Sequence, residues 1–159
     1  MDKKFAREMQ GTGMQVWQTQ NEQQTEDAGR ALAETLRGGE VITLRGDLGA
    51  GKTVFTRGLA RGLGIASPIL SPTFTIVREY TGRLKLYHFD FYRLTEAEEL
   101  GEIGFEEYMQ SDAVVVIEWA ELFPEVLPAR RISVQIEASG AAAAGRKICI
   151  WQEEELENA

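Results

Sequence analysis

Apolar positions along the chain keep two rhythms in turn. Ala28, Leu32, Ala33 and Leu36 recur three to four apart, the spacing of one helix face, and Thr25, Glu26 and Asp27 ahead of them suit a helix start, since a hydroxyl caps free amides and acids complement the dipole. Gly38 and Gly39 close that run. VITL, residues 41–44, is short, β-branched and apolar, which predicts a strand buried on both faces, and the helical period returns over 52–63 with Phe55, Leu59 and Leu63. Pro68 and Pro72 keep 66–71 out of helix, and a strand is expected over 73–80. TGR at 81–83 reads as a tight turn into an alternating run over 84–92, so the two runs predict an antiparallel hairpin. Residues 96–109 are acidic and helical, interrupted near Gly101 to Gly104, and AVVVIEW, 113–119, is a second doubly buried strand. RISVQIE and RKICIWQ flank ASGAAAAG and predict a second hairpin; glycines at both ends make the alanine run a loop. Strands and helices mixed in this way predict one α/β domain with antiparallel edges to its sheet.

The predicted boundaries are a flexible leader over 1–20, a domain over 21–153 and an acidic tail over 154–159. The leader holds basic residues without an apolar core of signal-peptide length behind them. No stretch reaches the roughly 18 to 20 apolar residues that span a bilayer. With 17 basic against 25 acidic residues the net charge is −8, which repels nucleic acid and argues against broad, independent RNA or DNA binding. Cys149 is the sole cysteine, in keeping with a reducing compartment, and a cytoplasmic location is expected. His88 is the sole histidine, which leaves a zinc site short of its usual ligands.

Between the first apolar strand and the second helix lies GDLGAGKT, which fits the phosphate-binding pattern G-x-x-x-x-G-K-[ST] at Gly46, Gly51, Lys52 and Thr53. Gly46, Gly49 and Gly51 let the backbone curl so that successive amides make a nest for phosphate oxygens, which extends the binding stretch over Asp47, Leu48, Ala50 and Val54 as well. Lys52 would reach the β- and γ-phosphates, and the helix behind it aims its positive end at them. Thr53 would place a hydroxyl on magnesium, a cation of oxygen ligands that keeps several waters. Strand, glycine loop and helix in this order predict a single P-loop NTPase-like α/β domain.

A nucleotide hydrolase also needs a carboxylate near the metal, usually at the end of a neighbouring buried strand. Glu118, after VVVI, fits that place; the plainer reading is a strand that turns polar as it reaches solvent. Asp90 in YHFDFYR is a second acid, able to reach toward the γ-phosphate or simply to pair with Arg93 at the surface. His88 shares Asp90's strand face by alternation.

GDLGAGKT, SPTFTIVREY, LYHFDFYRL, EELGEIGFEEY and VVVIEWAE, in that order, resemble the TsaE (YjeE) family of bacterial P-loop ATPases of tRNA threonylcarbamoyladenosine synthesis, over roughly 25–127. The resemblance implies a compact P-loop domain with a mostly parallel central sheet, antiparallel edge strands and helices on both faces. It also implies ATP or ADP bound with Mg2+, weak hydrolysis by the protein alone, and partnership with the TsaD and TsaB proteins that transfer the threonylcarbamoyl group, with tRNA met only through the complex. It implies that Lys52 and Thr53 serve phosphate and metal, that Glu118 serves the metal, and that Asp90 positions water. Ser71 to Thr73 resembles a switch segment facing the γ-phosphate, Thr25 with the segment just before it matches the adenine side, and Trp119 would lie close enough to report on nucleotide. Many relatives carry a second Thr or Ser where this chain has Val54, so any hydroxyl role there is absent.

Two other functions compete. One is a nucleotide-gated interaction module in which hydrolysis is only a timer. The other is a small-molecule kinase, for which the expected arginine-rich lid is not visible: Arg130 and Arg131 are the only adjacent pair of arginines. No N-K-x-D guanine-reading signature is present.

Overall fold

Along the chain run β1 (Arg7–Gln10), β2 (Met14–Thr19), α1 (Glu22–Glu34), β3 (Val41–Arg45), α2 (Lys52–Gly62), β4 (Val77–Thr81), β5 (Lys85–Asp90), α3 (Glu98–Glu102), α4 (Phe105–Met109), β6 (Val114–Glu118), β7 (Arg130–Ala138) and β8 (Arg146–Glu154). Two short 3-10 turns, Ala120–Leu122 and Pro124–Val126, lead from β6 toward β7. The computed structural model describes the backbone of residues 7–10 and all of residues 13–47 and 49–154.

The runs without a polar face take the centre of the sheet, where both faces are covered. β3 lies between β6 and β7 and parallel to both, and β6 is parallel to β5. Antiparallel strands flank this parallel core on each side, giving the spatial order β1-β2-β8-β7-β3-β6-β5-β4. Helices cover both faces. Alternation along β5 and β6 sends Leu86, Val114 and Val116 toward α1 and α2, and Phe89, Val115 and Ile117 toward α3 and α4. On the second face Phe89 meets Phe105 and Tyr108 edge-on, each pair of ring centroids 5.2 Å apart.

On the first face α1 and α2 touch backbone to backbone. A Cβ on Gly58 would lie 2.0 Å from the Glu26 carbonyl oxygen, and one on Gly29 2.2 Å from that of Phe55, so both positions must lack a side chain. This close approach lays the first turns of α1 against α2, next to the loop that opens it.

Four expectations need correction. The leader assigned to 1–20 contains β1 and β2, and β2 pairs antiparallel with β8 inside the sheet, its Val16, Trp17 and Thr19 buried; the far end of the chain supplies the partner, so the short alternation of MQVWQT understates its role. α1 begins at Glu22 rather than behind Thr25, because the Asn21 side chain accepts from the Gln24 N–H at 2.9 Å and caps the helix there. The strand expected over 73–80 begins only at Val77. Residues 73–76 turn instead, with Ile76 at φ 69°, a strained conformation for a β-branched residue, held by its N–H on the Pro72 carbonyl and its carbonyl on the Asp90 N–H. Glu154, expected in the tail, ends β8 opposite Arg130; residues 155–159 lie outside the described residues.

Candidate functional site

A cleft of about 560 Å³ opens where β3, β5 and β6 end. Such a crevice, outside the carboxyl ends of parallel strands, is where α/β sheets take ligands. The loop after β3 forms one wall. Gly51, at φ 105°, turns the chain into α2, and the first N–H groups of any helix, here those of Lys52, Thr53 and Val54, have no acceptor inside it. Of the loop residues proposed to bind phosphate, Gly49, Gly51, Lys52, Thr53 and Val54 line the cleft. Gly46, Asp47 and Ala50 do not. Gly46 lies against the Ile136 carbonyl, and the Ala50 N–H donates to the Asp47 carbonyl at 3.0 Å, closing a turn within the loop instead of facing the cleft. Leu48 lies outside the described residues.

The opposite wall holds the two acids. Asp90 and Glu118 end β5 and β6, opposite each other in register, and both are buried. The carboxylate of Asp90 is oriented on both oxygens: Oδ2 accepts from Thr73 Oγ1 at 2.8 Å and Oδ1 from the Tyr92 N–H at 2.8 Å. Thr73 Oγ1 is 2.8 Å from Ser71 Oγ, so the segment read as a switch is tied to this acid. Arg93 lies instead over the Phe74 ring, 4.9 Å from its centroid, and the surface Asp90–Arg93 pair weighed above does not form. Glu118 Oε2 is 3.2 Å from His88 Nε2, which places the sole histidine behind the cleft as a support for an acid.

Lys52 spans the cleft. It is 8% exposed, and its Nζ lies 4.1 Å from the centroid of the Trp119 ring, a cation over an aromatic face. Trp119 can present that face because the chain leaves β6 through a left-handed residue, φ 60° at Trp119 itself. At the far end Thr25 lines the cleft from inside α1, its hydroxyl 2.8 Å from that of Thr19 on β2.

Glu22, in the segment just before Thr25, also lines the cleft, and sequence reasoning missed Tyr92, Ala143, Ala144 and Arg146, which line it too. The last three come from the β7–β8 hairpin, whose arrival beside the loop depends on strand pairing and leaves no local signal. Among the described residues no three of His, Cys, Asp and Glu converge as a metal cage.

A family model described as "Threonylcarbamoyl adenosine biosynthesis protein TsaE" matches residues 19–148. The chain belongs to the TsaE family. The TsaE protein of Bacillus subtilis, named for tRNA threonylcarbamoyladenosine biosynthesis, is 45% identical over 125 residues, 78% of each chain. That of Treponema pallidum is 44% identical over 114 residues, 72% of this chain and 84% of its own. A crystal structure of Bacillus subtilis YdiB superposes with a TM-score of 0.75 at 38% identity, covering 89% of this chain and 86% of that one. The matched stretch contains the glycine loop, both acids and the start of β8, and so includes every described wall of the cleft. No helix among the described residues is long and apolar enough to cross a membrane.

Proposed function

We propose that the cleft binds ATP or ADP with Mg2+, and that the protein hydrolyses ATP as a subunit acting with TsaD and TsaB proteins in the making of tRNA threonylcarbamoyladenosine. One observation carries this reading: Lys52, Thr53, Asp90 and Glu118 line a single cleft at the start of α2, which is the set of groups that phosphoryl transfer to water requires. The role in tRNA modification comes from the names of the relatives.

The donors suit the ligand. Helix-start amides and the Lys52 ammonium meet polyphosphate oxygens, and Lys52 leaves its place on Trp119 to do so. Thr53 and Glu118 would hold the magnesium, an ion that takes one or two protein oxygens beside phosphate and water and needs no cage of acids. When bound, that ion would offset the negative charge of the phosphates. Asp90, fixed through both oxygens, accepts a proton from or orients the attacking water, while the hydroxyls of Ser71 and Thr73 meet the γ-phosphate. Glu22, Asp90 and Glu118 outnumber Lys52 and Arg146 on the walls, so a polyphosphate enters most readily with its divalent cation.

A second reading has its own observation. Phe74, next to Thr73, is 84% exposed, and Leu70 on the same segment 53%, so a surface coupled to the γ-phosphate position could serve a nucleotide-gated interaction, with hydrolysis only as a timer. Mixing the protein with TsaD and TsaB proteins and comparing assembly, phosphate release and modified tRNA under ATP, ADP and a non-hydrolysable analogue separates the two. Product that needs hydrolysable ATP supports the ATPase reading. Partner binding and product that persist in Glu118→Ala support the timer, and absence of nucleotide binding sinks both.

A further inference from the structure

Arg146 opens β8, far from the glycine loop in sequence, yet its guanidinium is spent on that loop. Nε donates to the Ala50 carbonyl at 2.6 Å and one terminal nitrogen to the Gly49 carbonyl at 3.0 Å. The other terminal nitrogen donates to the carbonyls of Ala143 and Gly145, at 3.1 and 2.8 Å, in the hairpin loop that forms the cleft's outer wall. An arginine fork can hold several carbonyls in one plane, which a lysine cannot. Because a peptide unit is planar and trans, drawing the Gly49 and Ala50 carbonyls onto Arg146 turns the N–H of Ala50 and of Gly51 the opposite way. The Ala50 N–H is thereby delivered to the Asp47 carbonyl, and by the same planarity the Gly51 N–H points away from the guanidinium. Gly51 itself packs on this side chain, a Cβ there falling 3.4 Å from Nε.

We propose that Arg146 is a positioning residue of the phosphate-binding loop: from the C-terminal hairpin it holds two successive carbonyls outward, sets the orientation of the loop amides, and couples the hairpin wall to the polyphosphate end of the cleft. The inference rests on the nucleotide-binding reading above and adds to it the part of the fold that pre-shapes the loop. Preorganised donors bind an anion without being reordered when it arrives, so losing the clamp costs affinity even where the fold survives.

The test measures ADP affinity with Mg2+ by calorimetry, alongside melting temperature without nucleotide, for the unaltered protein, Arg146→Ala, Arg146→Lys and, as a charge control on the same strand, Lys147→Gln. Arg146→Ala is expected to lose about tenfold or more in affinity, as befits two charge-assisted hydrogen bonds. Millimolar guanidinium chloride should restore part of that loss and an equal concentration of sodium chloride should not. Arg146→Lys should also weaken binding, and Lys147→Gln should leave it unchanged. Should the alanine variant fail to fold, the lysine variant carries the test. Unchanged affinity in folded Arg146→Lys and Arg146→Ala, or a loss that guanidinium does not relieve, overturns the proposal. An unaltered protein that binds no ADP overturns the nucleotide-binding reading instead.

Discussion

Asp90 and Glu118 stand opposite each other at the ends of neighbouring parallel strands, in register and both buried, yet their partners differ. Asp90 is held by Thr73 and the Tyr92 amide, while Glu118 meets His88. Two acids side by side with different supports suit two roles, one toward water and one toward a metal. Asp90→Asn keeps the shape of the carboxylate and removes its charge. Nucleotide affinity should stay within a few-fold, and ATP turnover in the partner complex should fall by about a hundredfold or more, the usual contribution of a positioned proton acceptor. Phosphate release under single-turnover conditions reads it, and full turnover removes Asp90 from the chemistry.

Lys52 rests on Trp119 and is the main charge available to a β- or γ-phosphate. Lys52→Ala should cost on the order of 1.5 to 3 kcal/mol, roughly tenfold to a hundredfold in ATP affinity. A phosphate that drew the ammonium off the indole would change Trp119 emission on nucleotide addition. That change should vanish in Trp119→Phe and persist in Trp17→Phe and Trp151→Phe. A folded Lys52→Ala protein with unaltered ATP affinity counts against the site.

His88 has no exposed surface, and among the described residues its Nδ1 meets no hydrogen-bond partner, so its role lies in Nε2. An ionised carboxylate only accepts, which makes Nε2 the donor to Glu118. His88→Phe fills much of the same space and deletes that donor, leaving Glu118 buried without it. Denaturant unfolding should register a loss of about 1–3 kcal/mol. In a Glu118→Ala background the same substitution should cost clearly less, since the stranded carboxylate is gone. Equal costs in the two backgrounds would show that the pair contributes no coupling.

Much of this site was legible because its signals are local. GDLGAGKT fixes the loop by spacing alone, and VVVIE announces an acid at the end of a strand with no polar face, which is where Glu118 stands. Asp90 was legible as a place, though its partners were not: Thr73 reaches it only because 73–76 turn back at Ile76, where β-branched residues spelled a strand. Thr25 looked like a helix cap by type, and Asn21 took that position one turn earlier because its side chain reaches the Gln24 amide; Thr25 faces Thr19 inside. The clamp from Arg146 had no sequence signal, because its reach to Gly49 and Ala50 is set by the pairing of β8 with β2 and β7.

The contact of α1 with α2 gives a prediction in which sign, not size, is decisive. In an open helix, alanine is better than glycine by up to about 1 kcal/mol. Gly101 in α3 has open space where a Cβ would go, so Gly101→Ala should stabilise by about 0.5–1 kcal/mol. Gly58 in α2 has the Glu26 carbonyl oxygen 2.0 Å from that position, and this is backbone that no rotamer change can move aside. Gly58→Ala must therefore push the helices apart, and overpacking of this kind costs about 1–3 kcal/mol despite the better helix propensity. Denaturant midpoints at constant slope should move up for Gly101→Ala and down for Gly58→Ala. Because Thr25 on α1 and Thr53 on α2 face the same cleft, the second variant should also weaken nucleotide binding. A Gly58→Ala protein as stable as its parent would mean that α1 and α2 do not meet at this distance, and with it would go the reason Thr25 lies where it does.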